Sequence, residues 1–182
     1  MADARKFEIS HFPAEPTAAL WDLTVGELME RTAVEVPDRL ALVEGVADPS
    51  MRRRWTYREL VDDAKKVARA LLRHFKRGDK VGMFAPETPE WVIFQHGLSF
   101  AGLIIVPINP AYTEREVEFI LRNSEAKGVI FAETSRGKAL RHLIEHVQFK
   151  LPDLATAICV SDLDALMASA DPRLEIAGAR SK

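Results

Sequence analysis

The 182-residue sequence is poor in cysteine, in unbalanced charge and in long apolar runs. Its single cysteine, Cys159, excludes a disulfide within the chain and favours a reducing compartment. Lys and Arg total 25 against 27 Asp and Glu, so the net charge of −2 provides no basic field for nucleic acid. The longest apolar run, 98–108, is far shorter than the roughly 20 residues that span a bilayer. Because the N-terminus also lacks a secretory signal, we expect a cytoplasmic protein without a transmembrane segment.

The glycines are also few, and they are dispersed. They stand at 26, 45, 78, 82, 97, 102, 128, 137 and 178, and no two lie closer than four positions. Nucleotide-binding loops such as G-x-G-x-x-G and G-x-x-x-x-G-K-[ST] need clustered glycines, which let backbone N–H groups approach phosphate. Neither motif occurs, so no single local stretch of this sequence builds such a cradle.

What the sequence does contain is a regular alternation of apolar runs and amphipathic segments. The apolar periodicity predicts helices near 24–36, 56–75, 88–101, 113–123, 135–148 and 162–170, and strands near 40–43, 80–84, 103–108, 128–131 and 155–160. Three helices begin with a capping box, in which a Thr precedes a Glu by three positions: Thr24–Glu27, Thr56–Glu59 and Thr113–Glu116. The last four strands read as buried and alternate with helices. They predict an α/β fold of βαβ units, with helices on both faces of a parallel sheet.

This pattern predicts one compact unit. We expect an extended lead-in over 1–22, an α/β unit over 23–171 and an irregular tail over 172–182. The helix that begins at Trp91 is apolar on nearly every face, although an outer helix normally keeps a polar side. Either a further layer of this chain covers it, or that side docks a missing part of the protein. We favour the second alternative, with a second copy of the chain as a possible substitute partner.

One metal-binding pattern is present. His142, Glu145 and His146 match H-x-x-E-H, in which two imidazoles one helical turn apart suit zinc. A third ligand would have to come from a few downstream carboxylates. We favour a polar helix face, because the segment closes an ordinary βα unit.

Other chemically notable side chains favour structural interpretations. The triplet Arg52–Arg54 could hold phosphate, but without glycine or aromatic companions it favours a solvated loop. We expect His96, beside Gln95, to form a hydrogen-bonded core or interface pair, and Cys159 to be a small buried side chain. No serine stands in a G-x-S-x-G context. The residues therefore predict no catalytic, cofactor-binding or metal-binding group in this chain.

Two stretches, taken in order, resemble the first core motifs of the adenylate-forming superfamily. The first, Trp55-Thr56-Tyr57-Arg58-Glu59-Leu60, opens a long helix. The second, 98–110, carries a helix end through Gly102 into a strand and ends in Asn109-Pro110. Between them, Gly78-Asp79-Lys80-Val81 and Pro89-Glu90-Trp91 also match, so the resemblance covers about 23–131. The stretch Asn109–Thr113 is similar to the Asn-Pro-x-Tyr-Thr of fatty acyl-CoA ligases, whereas amino-acid adenylation domains more often carry Asp in place of Asn109.

The resemblance implies the N-terminal part of an AMP-forming acyl-CoA synthetase, acting on a medium- or long-chain carboxylic acid. Such an enzyme uses ATP, Mg and CoA: it forms an acyl adenylate and then transfers the acyl group to CoA. Its phosphate loop, magnesium-binding Glu and catalytic Lys follow the second motif, so we expect this chain to be an inactive fragment that requires the missing C-terminal portion. A fatty acyl-AMP ligase fragment and a stand-alone α/β interaction module remain as alternatives.

Overall fold

Four parallel strands form the central sheet of the computed structural model, which describes residues 21–176. The lead-in expected over residues 1–22 lies almost wholly outside the described residues, as does the end of the expected tail, 177–182. The elements in chain order are α1 (Val25–Glu35), β1 (Leu40–Val43), β2 (Arg54–Thr56), α2 (Tyr57–Leu71), β3 (Lys80–Phe84), α3 (Pro89–Ala101), β4 (Ile104–Pro107), α4 (Glu114–Ser124), β5 (Gly128–Phe131), β6 (Thr134–Ser135), β7 (Lys138–Ala139), α5 (Leu140–Lys150), β8 (Thr156–Cys159) and α6 (Leu163–Ala168).

The central sheet has the order β4-β3-β5-β8, and every pair in it is parallel. The predicted parallel βαβ sheet is therefore confirmed. In this sheet β4 lies on one side of β3, and β5 and β8 lie on the other. The connection from β3 to β4 and the connection from β4 to β5 therefore run in opposite directions across the sheet, and the strand order reverses at β3. Right-handed crossovers place α3 on one face and α4 and α5 on the other.

Contacts among the helices agree with these two faces. On one face α3 packs against α1 and α2, and α2 packs against α6, whereas α4 packs against α5 on the other. The closest approach is at Gly97 of α3, where an added Cβ would lie 2.8 Å from the Cβ of Val67 on α2. Across the sheet, Gly82 of β3 faces Leu121 of α4.

The predicted capping boxes are present at all three helices. Thr24, Thr56 and Thr113 each donate a backbone N–H to the Glu three positions later, over 2.6–2.8 Å. Each such pair satisfies polar groups that the first helical turn leaves open. The sequence rule therefore located the starts of α1, α2 and α4 to the residue.

The helix predicted over 135–148 is wrong at its N-terminal end. Residues 134–139 form a β-hairpin, and α5 begins only at Leu140. Arg136 and Gly137 form its two-residue turn with φ of +48° and +80°, which a continuing helix forbids. The burial predicted for the strands at 103–108 and 155–160 is also only partly correct, because β4 and β8 are the two edge strands of the sheet and only Leu103, Ile108 and Cys159 are buried there. Ile104 of β4 is 49% exposed.

The docking face favoured for α3 is wrong as well. Ile93, Phe94, Leu98 and Phe100 are buried, and Trp91 and Val92 are half-buried. The reason is that α1 and α2 cover the side of α3 that faces away from the sheet, which is the alternative that the sequence left open. Among residues 21–176, no helix has both the length and the apolar character needed to cross a membrane.

Candidate functional site

The carboxyl ends of β3, β4 and β5 open into a cleft of about 1010 Å³. In open parallel sheets, ligands bind outside the carboxyl ends of the strands where the strand order reverses. Here the reversal occurs at β3, and the loops that follow these three strands line the cleft. The topology therefore selects this cleft as the candidate functional site.

The floor and walls of the cleft are mainly apolar. Met83, the last residue but one of β3, is buried, and Ile108, which follows β4, is also buried. Trp91 from the first turn of α3, Ile120 from α4 and the 37%-exposed Tyr112 complete the apolar lining. An apolar interior of this kind suits a carbon chain or an aromatic ring.

Two cations stand on the rim, and both come from the β6–β7 hairpin. Arg136 is exposed and Lys138 is half-buried. Among the described residues that line the cleft, these two carry positive charge and Glu87 carries negative charge. Arg136 holds a φ of +48°, a conformation that favours glycine or asparagine and costs an arginine about 1 kcal/mol. The charges on this rim favour an anionic ligand group.

The opposite side of the cleft is the turn after β4. Asn109 fixes this turn twice: its Oδ1 accepts the Ala111 N–H at 2.9 Å, and its carbonyl accepts the Tyr112 N–H at 3.0 Å. Lys138 Nζ donates to the carbonyl of Tyr112 and so joins the hairpin to the turn. The stretch 109–113 that carries the family resemblance therefore contributes a wall of the cleft.

A second, smaller cleft of about 490 Å³ lies at the same edge of the sheet, on the β5 and β8 side. Its lining includes Arg53 from the predicted arginine triplet. Arg53 is bound by Glu44 at 2.7 Å and Glu90 at 2.6 Å, and these two carboxylates raise its pKa. Burial opposes the ionisation of Glu90, but hydrogen bonds, that from Arg53 foremost, hold its pKa below the ordinary value. Arg53 therefore joins the β1–β2 hairpin to the start of α3.

The H-x-x-E-H residues do not converge on one point. His142 Nδ1 lies 3.2 Å from Glu145 on the same helix, while His146 Nδ1 lies 3.4 Å from Glu114 of α4. All three are exposed polar side chains on α5, as the preferred interpretation predicted. Within residues 21–176, no three His, Cys, Asp or Glu side chains are grouped to hold a metal ion.

Cys159 is buried and His96 is half-buried. The Nδ1 of His96 is buried and has no hydrogen-bond partner among the described residues, so the hydrogen bond expected for it is wrong at this atom. Burial lowers the pKa of His96. Cys159 is 2% exposed and accepts a 3.1 Å hydrogen bond from Ser161 Oγ, in agreement with its predicted buried position.

Sequence reasoning missed the cations at the rim. The predicted helix over 135–148 includes Arg136 and Lys138, and Tyr112 enters the sequence analysis only within the stretch 109–113 that carries the resemblance. One signal could have found the hairpin: Gly137 follows Arg136 between two short polar stretches, the pattern of a two-residue turn.

Comparison with known proteins identifies the family. The model of the AMP-binding enzyme family matches residues 29–179, most of the chain. The chain belongs to the AMP-binding enzyme family. The adenylate-forming resemblance seen in the sequence motifs is thus confirmed, and the match includes both sides of the large cleft.

Curated relatives that match this AMP-binding family chain include acyl-CoA ligases. The mitochondrial medium-chain acyl-CoA ligase ACSF2 of Mus musculus is 31% identical over 166 residues, covering 84% of this chain and 26% of that protein. Acyl-CoA ligase SID4 of Ajellomyces capsulatus is 29% identical over 158 residues, with the same two coverages. The chain therefore spans about a quarter of the length of these relatives.

Solved structures of the family share the fold. The anthranilate CoA ligase AuaEII, crystallised with anthranoyl-AMP, aligns with a TM-score of 0.71 and 25% identity over 85% of this chain and 28% of that chain. The N-terminal domain of FACL13 from Mycobacterium tuberculosis aligns with a TM-score of 0.67 and 24% identity, covering 84% and 38% of the two chains. At that identity, the second likeness concerns the fold alone.

The described residues fit only part of what the family reaction requires. They offer an apolar cleft with a cationic rim, which suits a substrate that combines a carbon chain with an anionic group. They offer neither a glycine-rich phosphate cradle nor a grouped set of metal ligands. No step that depends on ATP phosphates or Mg is therefore assigned to these residues.

Proposed function

We propose that this chain is the N-terminal subdomain of an AMP-forming acyl-CoA synthetase, which activates a medium- or long-chain carboxylic acid with Mg-ATP and transfers the acyl group to CoA. The match of the AMP-binding family model over residues 29–179 carries the proposal. The names of the curated relatives and the Asn-Pro-x-Tyr-Thr stretch at 109–113 support the acyl-CoA branch.

In this proposal the large cleft binds one of the two anionic, carbon-rich substrates. A fatty acid and CoA both combine an anionic group with an apolar or aromatic portion. The positive charge of the β6–β7 hairpin would draw the anionic group to the rim, and Trp91 and Tyr112 would contact the remainder. The mechanism that we assign to this chain is therefore binding and orientation, while ATP chemistry belongs to groups outside the described residues.

Partners and location are part of the same proposal. The unit over residues 23–171 would pack against a C-terminal portion that carries the phosphate loop, and a homo-oligomer is a further possibility. The cytoplasmic location stays a prediction, and the name of the ACSF2 relatives assigns those proteins to mitochondria.

The proposal is tested by measuring pyrophosphate release from ATP by the full-length gene product with a panel of saturated fatty acids. We expect release with medium- or long-chain acids, followed by acyl-CoA when CoA is added. The 182-residue chain alone is expected to release none and to bind ATP weakly, because its glycines are too dispersed for a phosphate loop.

Each other outcome identifies an alternative. Acyl adenylate without acyl transfer to CoA would identify a fatty acyl-AMP ligase. No adenylate with any acid would contradict the enzyme assignment and favour the interaction module. Pyrophosphate release by the 182-residue chain alone would refute the expectation that it is incomplete.

A further inference from the structure

One side chain links two of the segments that line the cleft. The sheet order is β4-β3-β5, so the loop after β3 lies between the turn after β4 and the hairpin after β5. Lys138, in the hairpin, donates from Nζ to the carbonyl of Tyr112, in the turn. This contact joins residues 26 positions apart in sequence, one in the segment after β4 and one in the segment after β5.

Both ends of this contact are held by their own local structure. Ser135 pairs with Lys138 across the hairpin, and the backbone N–H of Leu140 donates to the carbonyl of Glu133 at 2.9 Å. At the other end, Asn109 holds the turn through the N–H groups of Ala111 and Tyr112. A single donated hydrogen bond between two locally ordered loops can therefore fix the distance between them.

A second observation places the Lys138 charge at the same point. Glu116 caps α4 by accepting hydrogen bonds from the backbone and side chain of Thr113, which lower its pKa, and the charge of Lys138 lowers it further. Lys138 thus faces both the Tyr112 carbonyl and the first turn of α4. Arg136, two residues earlier and exposed, has neither contact among the described residues.

We infer that Lys138 is a positioning residue that holds the 109–112 turn against the β6–β7 hairpin and thereby sets the width of the cleft, leaving Arg136 to meet the anionic group of the ligand. The assignment of separate roles to Lys138 and Arg136 rests on the function proposed above. The structural part, that Lys138 restrains the turn, does not depend on that function.

The restraint is tested by hydrogen–deuterium exchange on the 182-residue protein. In Lys138→Met the amides of Ala111 and Tyr112 should exchange about tenfold faster, since a hydrogen bond from a charged donor is lost while the aliphatic stem remains. Lys138→Arg keeps a charged donor and should restore most of the protection. Lys127→Met, the same change beside the opposite end of β5, should leave these amides unchanged.

Two exchange results would overturn the inference. One is unchanged exchange at 111–112 in Lys138→Met. The other is a uniform acceleration along the whole chain, because that would report a loss of global stability and no local restraint.

Kinetics of the full-length gene product separate this inference from the proposed function. Lys138→Met should raise the KM for fatty acid or for CoA several-fold while the KM for ATP stays constant, with rescue by Lys138→Arg. The substrate that responds identifies the ligand of the cleft. If the exchange result holds and neither KM moves, the restraint stands and the use of the cleft for substrate is wrong.

Discussion

At the scale of single residues, His96 is the side chain least suited to its surroundings. It lies in an otherwise apolar helix, its Nδ1 is buried without a partner among the described residues, and burial lowers its pKa. A histidine of this kind is held neutral in the folded state but takes up a proton on unfolding. It therefore couples the stability of the helix to pH.

The free energy of unfolding should fall as the pH drops from about 7.5 to about 5.5. The sign follows from the lowered pKa: the contribution is complete above the unfolded-state value near 6.5, and it is lost as the pH falls toward the lower folded-state pKa, because in that interval the unfolded chain binds the proton more readily than the folded one. Urea denaturation at the two pH values measures the change. His96→Leu should reduce the difference, whereas His142→Ala, at an exposed site, should retain it. Equal pH dependence in wild type and His96→Leu would contradict this assignment.

At the scale of elements, the contact between α2 and α3 depends on a missing side chain. Gly97 faces Val67 so closely that an added Cβ would lie 2.8 Å from the Val67 Cβ and 3.3 Å from the carbonyl of Ala64. The two helices can therefore approach only because position 97 has no side chain. This contact keeps α3, and with it Trp91 of the cleft, in place.

Gly97→Ala should lower the free energy of unfolding by up to about 2 kcal/mol, because the overpacking cost of about 1–3 kcal/mol outweighs the gain of about 1 kcal/mol in helix propensity. Urea denaturation is the measurement. In a Val67→Ala background, Gly97→Ala should lower the free energy of unfolding less, because Val67 Cγ1, the atom nearest to the added Cβ, is absent there. Gly45→Ala, where an added Cβ meets nothing within 4 Å, is the matched control. An equal cost in both backgrounds would show that the helices do not meet as described.

Prediction from sequence succeeded for these elements where one local rule decided the structure. A Thr and a Glu three residues apart were enough to locate the starts of α1, α2 and α4. Prediction failed at 134–139, because the helical spacing of apolar residues in α5 was continued too far toward the N-terminus. These residues form a hairpin, and its turn depends on the backbone conformation of Arg136 and Gly137. Local sequence patterns indicate the periodicity of apolar side chains. That periodicity does not predict a turn in which an arginine adopts a positive φ.

At the scale of the whole molecule, alternation of strands and helices predicted the parallel sheet but not its order. The order β4-β3-β5-β8 brings the turn after β4 and the hairpin after β5 to either side of β3. The cleft thus combines Asn109, Tyr112, Arg136 and Lys138, which no sequence motif unites. For the same reason the sequence left the covering of α3 open and did not favour it, since that covering by α1 and α2 also depends on contacts between distant segments.

The central claim is that this cleft binds a carbon-rich, anionic substrate, and substrate footprinting on the full-length gene product tests it most directly. Hydrogen–deuterium exchange would be measured with CoA and, separately, with dodecanoate, each against the free protein. We predict that one of the two ligands slows exchange at 109–112 and 134–139. Protection confined to the second cleft, at 53–55 and 160–167, or no change at either cleft with both ligands, would contradict the account.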